Sequence, residues 1–138
     1  MGLPRVPEAR LCYRAASQRF EDAHLLLRED RTTGAVYLAG CTVECLLKAL
    51  VLHGVAGGLR RRLLEEMRGR LAHNWEWLGG LYRRHVGTPI PRDVSRHLAR
   101  VGVWSTDLRY AAGLLRRAVA NEFMDSVAAI SAWADGRM

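Results

Sequence analysis

The sequence predicts an all-α fold, a single four- to five-helix up-and-down bundle spanning residues 1–138. Three observations carry this reading. Apolar residues recur at intervals of three and four through most of the chain. No stretch of useful length alternates as a strand would, and neither an internal repeat nor a low-complexity tract is present. Finally, 138 residues of which 49% are hydrophobic suit one domain with a substantial core.

Taken in order, residues 7–30 place Cys12, Ala16, Phe20, Ala23 and Leu27 on one face, with Arg14, Arg19, Glu21, Asp22 and Arg28 elsewhere. This is an amphipathic first helix. Thr32 or Thr33 can cap the next helix, which runs to about His53 and is apolar nearly all round, so it belongs at the centre of the bundle. Its apolar run, residues 34–52, has enough length to tempt a membrane reading. Glu44 and Lys48 near its middle would each cost about 2.5–3.5 kcal/mol at mid-bilayer, which favours a buried core helix. Gly57 and Gly58 punctuate, and residues 59–71 form a short basic helix with Leu63, Leu64 and Met67 inside and Arg60, Arg61, Arg62, Arg68 and Arg70 outside. A further helix runs from His73–Asn74 to near His85, and a Gly87–Pro91 turn leads into another with Val94, Leu98 and Val101 facing in. Trp104 to Tyr110 reads as irregular. The last helix opens near Asn121 and buries Phe123 or Met124, Val127, Ile130 and Trp133 or Ala134.

Charge and cysteine usage bear on function. The net charge is +7, and of the 21 basic residues all but Lys48 are arginine. Clustered cations gain from releasing the counterions around phosphates, so RNA or a nucleotide is an expected partner. The same bias also arises from genome composition. Cys12, Cys41 and Cys45 lie in apolar helical patterns, which reads as reduced thiols in the cytoplasm. Met1 to Glu8 holds two prolines and no apolar core of a signal peptide, so no export and no membrane association are expected.

The run from Gly34 through Glu44 and Lys48, then His73–Asn74 with Trp77–Leu78, then Trp104 with Asp107, Arg109 and Tyr110, resembles the bacterial HEPN domain proteins over nearly the whole chain. The resemblance implies a four- or five-helix bundle, often an antiparallel homodimer, encoded in many cases beside a nucleotidyltransferase partner in toxin–antitoxin or defence loci. Its catalytic members are metal-independent endoribonucleases. Their motif pairs an Arg with a His a few residues later, and Arg92-Asp93-Val94-Ser95-Arg96-His97 matches it in letters. Such chemistry suits these types, since a histidine can move a proton at the ribose 2′-hydroxyl and an arginine can steady charge on the phosphate. Residues five apart on a helix, however, point about 140° from one another. In the family the motif lies near the start of a later helix, where this chain has Arg109–Tyr110 with no histidine within reach.

Glu44 and Lys48, at i and i+4, read as a buried polar clamp for which Arg109 is the expected further partner, with Tyr110 packed alongside; the functional alternative is a small nucleotide pocket. No glycine-rich phosphate loop, His-Glu-x-x-His or serine nucleophile elbow occurs, and neither a cofactor nor a metal is expected. The tryptophans belong to the core or a dimer interface more readily than to base stacking. The reading that follows is a non-catalytic or motif-degenerate module binding RNA, a nucleotide or a partner through Glu44, Lys48, Arg109, Tyr110 and Arg60–Arg62. Its alternative is an endoribonuclease toxin acting through Arg92 and His97.

Overall fold

The computed structural model describes residues 3–102 and 113–138, and these carry six α-helices and no strand. They are α1 (Pro7–Arg28), α2 (Thr32–Gly54), α3 (Gly57–Glu66), α4 (Trp75–Leu81), α5 (Arg92–Val101) and α6 (Arg117–Asp135). A 3₁₀ turn at Arg70–His73 precedes α4 and a π-helical turn at Tyr82–Val86 follows it. Three helices are long and three have ten residues or fewer, so the count exceeds the expected four to five. The stretch predicted to run to Leu71 as one helix ends at Glu66, because Gly69 takes an extended conformation (φ −85°, ψ −171°) and restarts the chain as the 3₁₀ turn. Trp104, Asp107, Arg109 and Tyr110 lie outside the described residues.

As its composition predicts, α2 is the central helix. It packs along α1 on one side and α6 on another, and also meets α4 and the π-helical turn. Val36, Ala39, Val43, Leu46, Leu47, Leu50 and Val51 are buried. By length and composition this helix could cross a membrane, but 72% of its most apolar window is buried inside the bundle. Facing it, α1 buries Ala9, Ala16 and Ala23, spaced by seven, while Cys12, Phe20 and Leu27 are half-buried beside them. Small side chains two turns apart let the two backbones approach closely. From α6 come Phe123, Met124, Val127, Ile130 and Ala134, all buried, and Trp133 meets the Tyr82 ring edge-on at 5.6 Å.

The threonines expected to cap α2 do something else. The N-cap is Arg31, without a side-chain bond, whereas Thr32 Oγ1 donates to the Leu115 carbonyl (2.7 Å) and Thr33 Oγ1 to the Gly113 carbonyl (2.9 Å). The Leu115 N–H donates back to Thr33 Oγ1 at 3.2 Å. Arg117 adds a third tie, donating to the Leu27 carbonyl at 2.8 Å and pairing with the Asp30 carboxylate. These bonds hold the chain entering α6 against the α1–α2 turn, and α6 begins at Arg117, about one turn before the expected Asn121.

The alanine seam has no spare room at Ala23, which is fully buried. Ala23→Leu should therefore overpack the α1–α2 contact and cost about 1–3 kcal/mol in urea unfolding. A variant as stable as the wild type would mean the helices are not in close register there.

Candidate functional site

Two regions hold polar side chains beyond what packing requires. The first is centred on Glu44, which is 8% exposed in the middle of α2. Its Oε2 accepts from Lys48 Nζ at 3.1 Å, one turn along the same helix, and its Oε1 lies 2.7 Å from His73 Nδ1. A carboxylate can only accept, so Nδ1 carries the hydrogen of this bond. His73 closes the 3₁₀ turn, and its side chain is 60% exposed. Lys48 is thus a partner of Glu44 as the sequence suggested, whereas Arg109 lies outside the described residues. His73 is a partner the sequence reading missed. It stands directly before Asn74, where the sequence predicts a helix start, and nothing in its spacing marks a contact to a residue 29 positions away.

Asn74 does make that start: its Oδ1 accepts from the Trp77 N–H at 3.0 Å and caps α4. Beside the Glu44 cluster a cleft of about 870 Å³ opens between α4 and α5, with Leu47 of α2, His73, Asn74, Arg83, Ser95 and Leu98 in its walls. Neither Arg92 nor His97 lines it. Arg92 is exposed at the first turn of α5, and His97 turns towards α6, where its Nδ1 is 3.1 Å from the buried Ser126 Oγ. His97 thereby ties α5 to α6.

The second region is the arginine-rich end formed by α3, the 3₁₀ turn and the π-helical turn. Arg61, Arg62, Arg68, Arg70, Arg83 and Arg84 are exposed there. Arg60, expected among them, bends back: its Nε donates to the Leu52 carbonyl (2.9 Å) and its Nη2 to the Val55 carbonyl (2.7 Å). It satisfies acceptors at the end of α2, where cations also suit the helix dipole. Arg68 reaches Glu65 at 3.5 Å, an exposed pair of little energetic weight. Arg70 and Arg84, from different segments, converge on a smaller cleft of about 480 Å³ whose wall includes Trp77.

The three cysteines form no disulfide, and among the described residues no group of three or more His, Cys, Asp or Glu is placed to hold a metal. Burial, and after it the negative charge of Glu44, pushes the Cys45 thiol up to about 12. In comparisons with known proteins, no family model, curated protein or solved structure matches the chain.

The Glu44 cluster makes two variants unequal. Lys48→Met leaves a buried carboxylate with only the histidine bond and should lose about 1–3 kcal/mol. His73→Ala removes a largely exposed partner and should lose under about 1 kcal/mol. Equal losses in urea unfolding would show that Lys48 is not the principal counter-charge.

Because its thiol is pushed up, Cys45 should remain protonated and resist alkylation by iodoacetamide in the native protein at pH 8. Its folded value lies above the unfolded one near 9, so its contribution to stability is complete below pH 9 and falls as the pH rises towards 12. Rapid native-state labelling of Cys45, mapped by mass spectrometry, would contradict the burial described.

Proposed function

We propose that this chain is a HEPN-type helical module that binds RNA without cleaving it, as a component of a bacterial toxin–antitoxin or defence system. The observation that carries the reading is the arginine-rich end. Arg61, Arg62 and Arg70 are exposed, Arg83 and Arg84 arrive from the π-helical turn, and Glu65 and Glu66 are the acids among them in the α3 sequence. With a net charge of +7, such a surface attracts a phosphate backbone by counterion release and steers its approach.

The competing ribonuclease reading needs Arg92 and His97 to act together on one phosphate. His97 Nδ1 is instead engaged by Ser126, and neither residue lines the cleft beside Glu44 or the smaller one at the arginine-rich end.

Binding should be measurable by fluorescence anisotropy with a labelled RNA oligonucleotide, and should weaken steeply with added salt. Arg61→Glu with Arg62→Glu should reduce affinity on the order of tenfold at low salt without altering the thermal unfolding of the bundle. Arg60 is left in place because it caps α2. No binding by the wild type, or equal binding by the double variant, would refute the RNA reading.

A further inference from the structure

The smaller cleft has a composition that a bare phosphate site would not need. Its walls are Glu66 from the end of α3, Gly69, Arg70 and Leu71 from the break and 3₁₀ turn, Trp77 from α4, and Arg84 from the π-helical turn. Among the described residues, Arg70 and Arg84 make no side-chain hydrogen bond or ion pair, whereas Arg60, Arg68 and Arg117 are all engaged. The Trp77 ring packs against the core, and the Asn74 cap on its backbone N–H fixes the start of the helix that carries it. An aromatic wall backed by the core, flanked by two uncommitted guanidinium groups, matches a flat ring that carries an anion.

Glu66 refines the ligand. Its carboxylate would repel a lone phosphate, but it accepts hydrogen bonds from an exocyclic base amine or a ribose hydroxyl. At about 480 Å³ the cleft lies within the roughly 300–1,000 Å³ of small-molecule sites. A base inside a duplex has both faces stacked and could not reach Trp77, so the nucleotide must be unpaired.

We propose that this cleft holds one unpaired nucleotide of single-stranded RNA, its base stacked on Trp77 and its flanking phosphates on Arg70 and Arg84. The proposal rests on the RNA-binding reading above and names the form of RNA that the same end of the molecule takes. The arginines outside the cleft supply attraction independent of sequence, and the cleft supplies the preference for single strands.

The test compares, by anisotropy at low salt, a labelled single-stranded RNA, the same sequence as a duplex, and a strand whose central residues lack bases. Wild-type protein should bind the single strand tighter than the duplex, against the usual electrostatic order in which the denser duplex charge is favoured. Trp77→Leu should weaken binding to the intact strand about fivefold or more and leave binding to the abasic strand unchanged. Arg84→Gln should weaken binding to both. Should Trp77→Leu fail to fold, the abasic strand and Arg84→Gln still decide: wild-type protein must lose affinity for the abasic strand. Equal affinity for single strand and duplex, or wild-type binding by Arg84→Gln, would overturn the cleft proposal. If this happens while the Arg61/Arg62 reversal still weakens binding, the RNA reading stands without the cleft; if the wild type binds no RNA, both fall.

Discussion

A carboxylate buried in an otherwise apolar helix has to find partners inside the protein, and much of the molecule is arranged around that demand. Glu44 takes Lys48 from its own helix and His73 from a segment far along the chain. The second bond ties the 3₁₀ turn to α2. From there order propagates locally: Asn74 follows His73 and caps α4, α4 sets Trp77, and the π-helical turn that continues α4 carries Arg83 and Arg84. The basic end of the molecule thus stands on a short and irregular stretch of chain that has a polar anchor in the most buried helix.

Two groups of arginines differ in what surrounds them. Arg60 and Arg117 are spent on backbone carbonyls at the ends of α2 and α1, where a helix leaves acceptors without intrahelical donors. Arg61, Arg62, Arg70, Arg83 and Arg84 are exposed and make no side-chain hydrogen bond or ion pair among the described residues. The distinction matters for reading charge, because a net excess of cations overstates the surface available to a polyanion wherever some of them serve as caps. It also explains how one residue type can both stabilise helix termini and recruit phosphate, since the planar fork serves carbonyl and phosphate oxygens alike.

Threonines at a helix start illustrate the same competition. Thr32 and Thr33 have the right type and position for a cap, yet their hydroxyls bond the segment before α6, 80 to 83 positions away. A local cap and a long-range tie satisfy the hydroxyl equally well, and packing of α6 on α2 brings the distant carbonyls close enough to take them.

The sequence by itself determined the all-helical class, the central place of α2 and the inward faces of α1, α3, α5 and α6, because hydrophobic periodicity is local and the helix geometry converts it directly into faces. It also placed Glu44 and Lys48 together as a buried pair, since i,i+4 partners are neighbours whatever the tertiary arrangement, while Arg109, the further partner it named, lies outside the described residues. Tertiary structure alone decided that His73 completes the Glu44 cluster, that His97 serves Ser126, that Arg60 turns back onto α2, and that Arg70, Trp77 and Arg84 share a cleft. Those contacts join segments whose relative placement depends on where helices break and how the pieces pack. A spacing in one chain carries no record of that geometry.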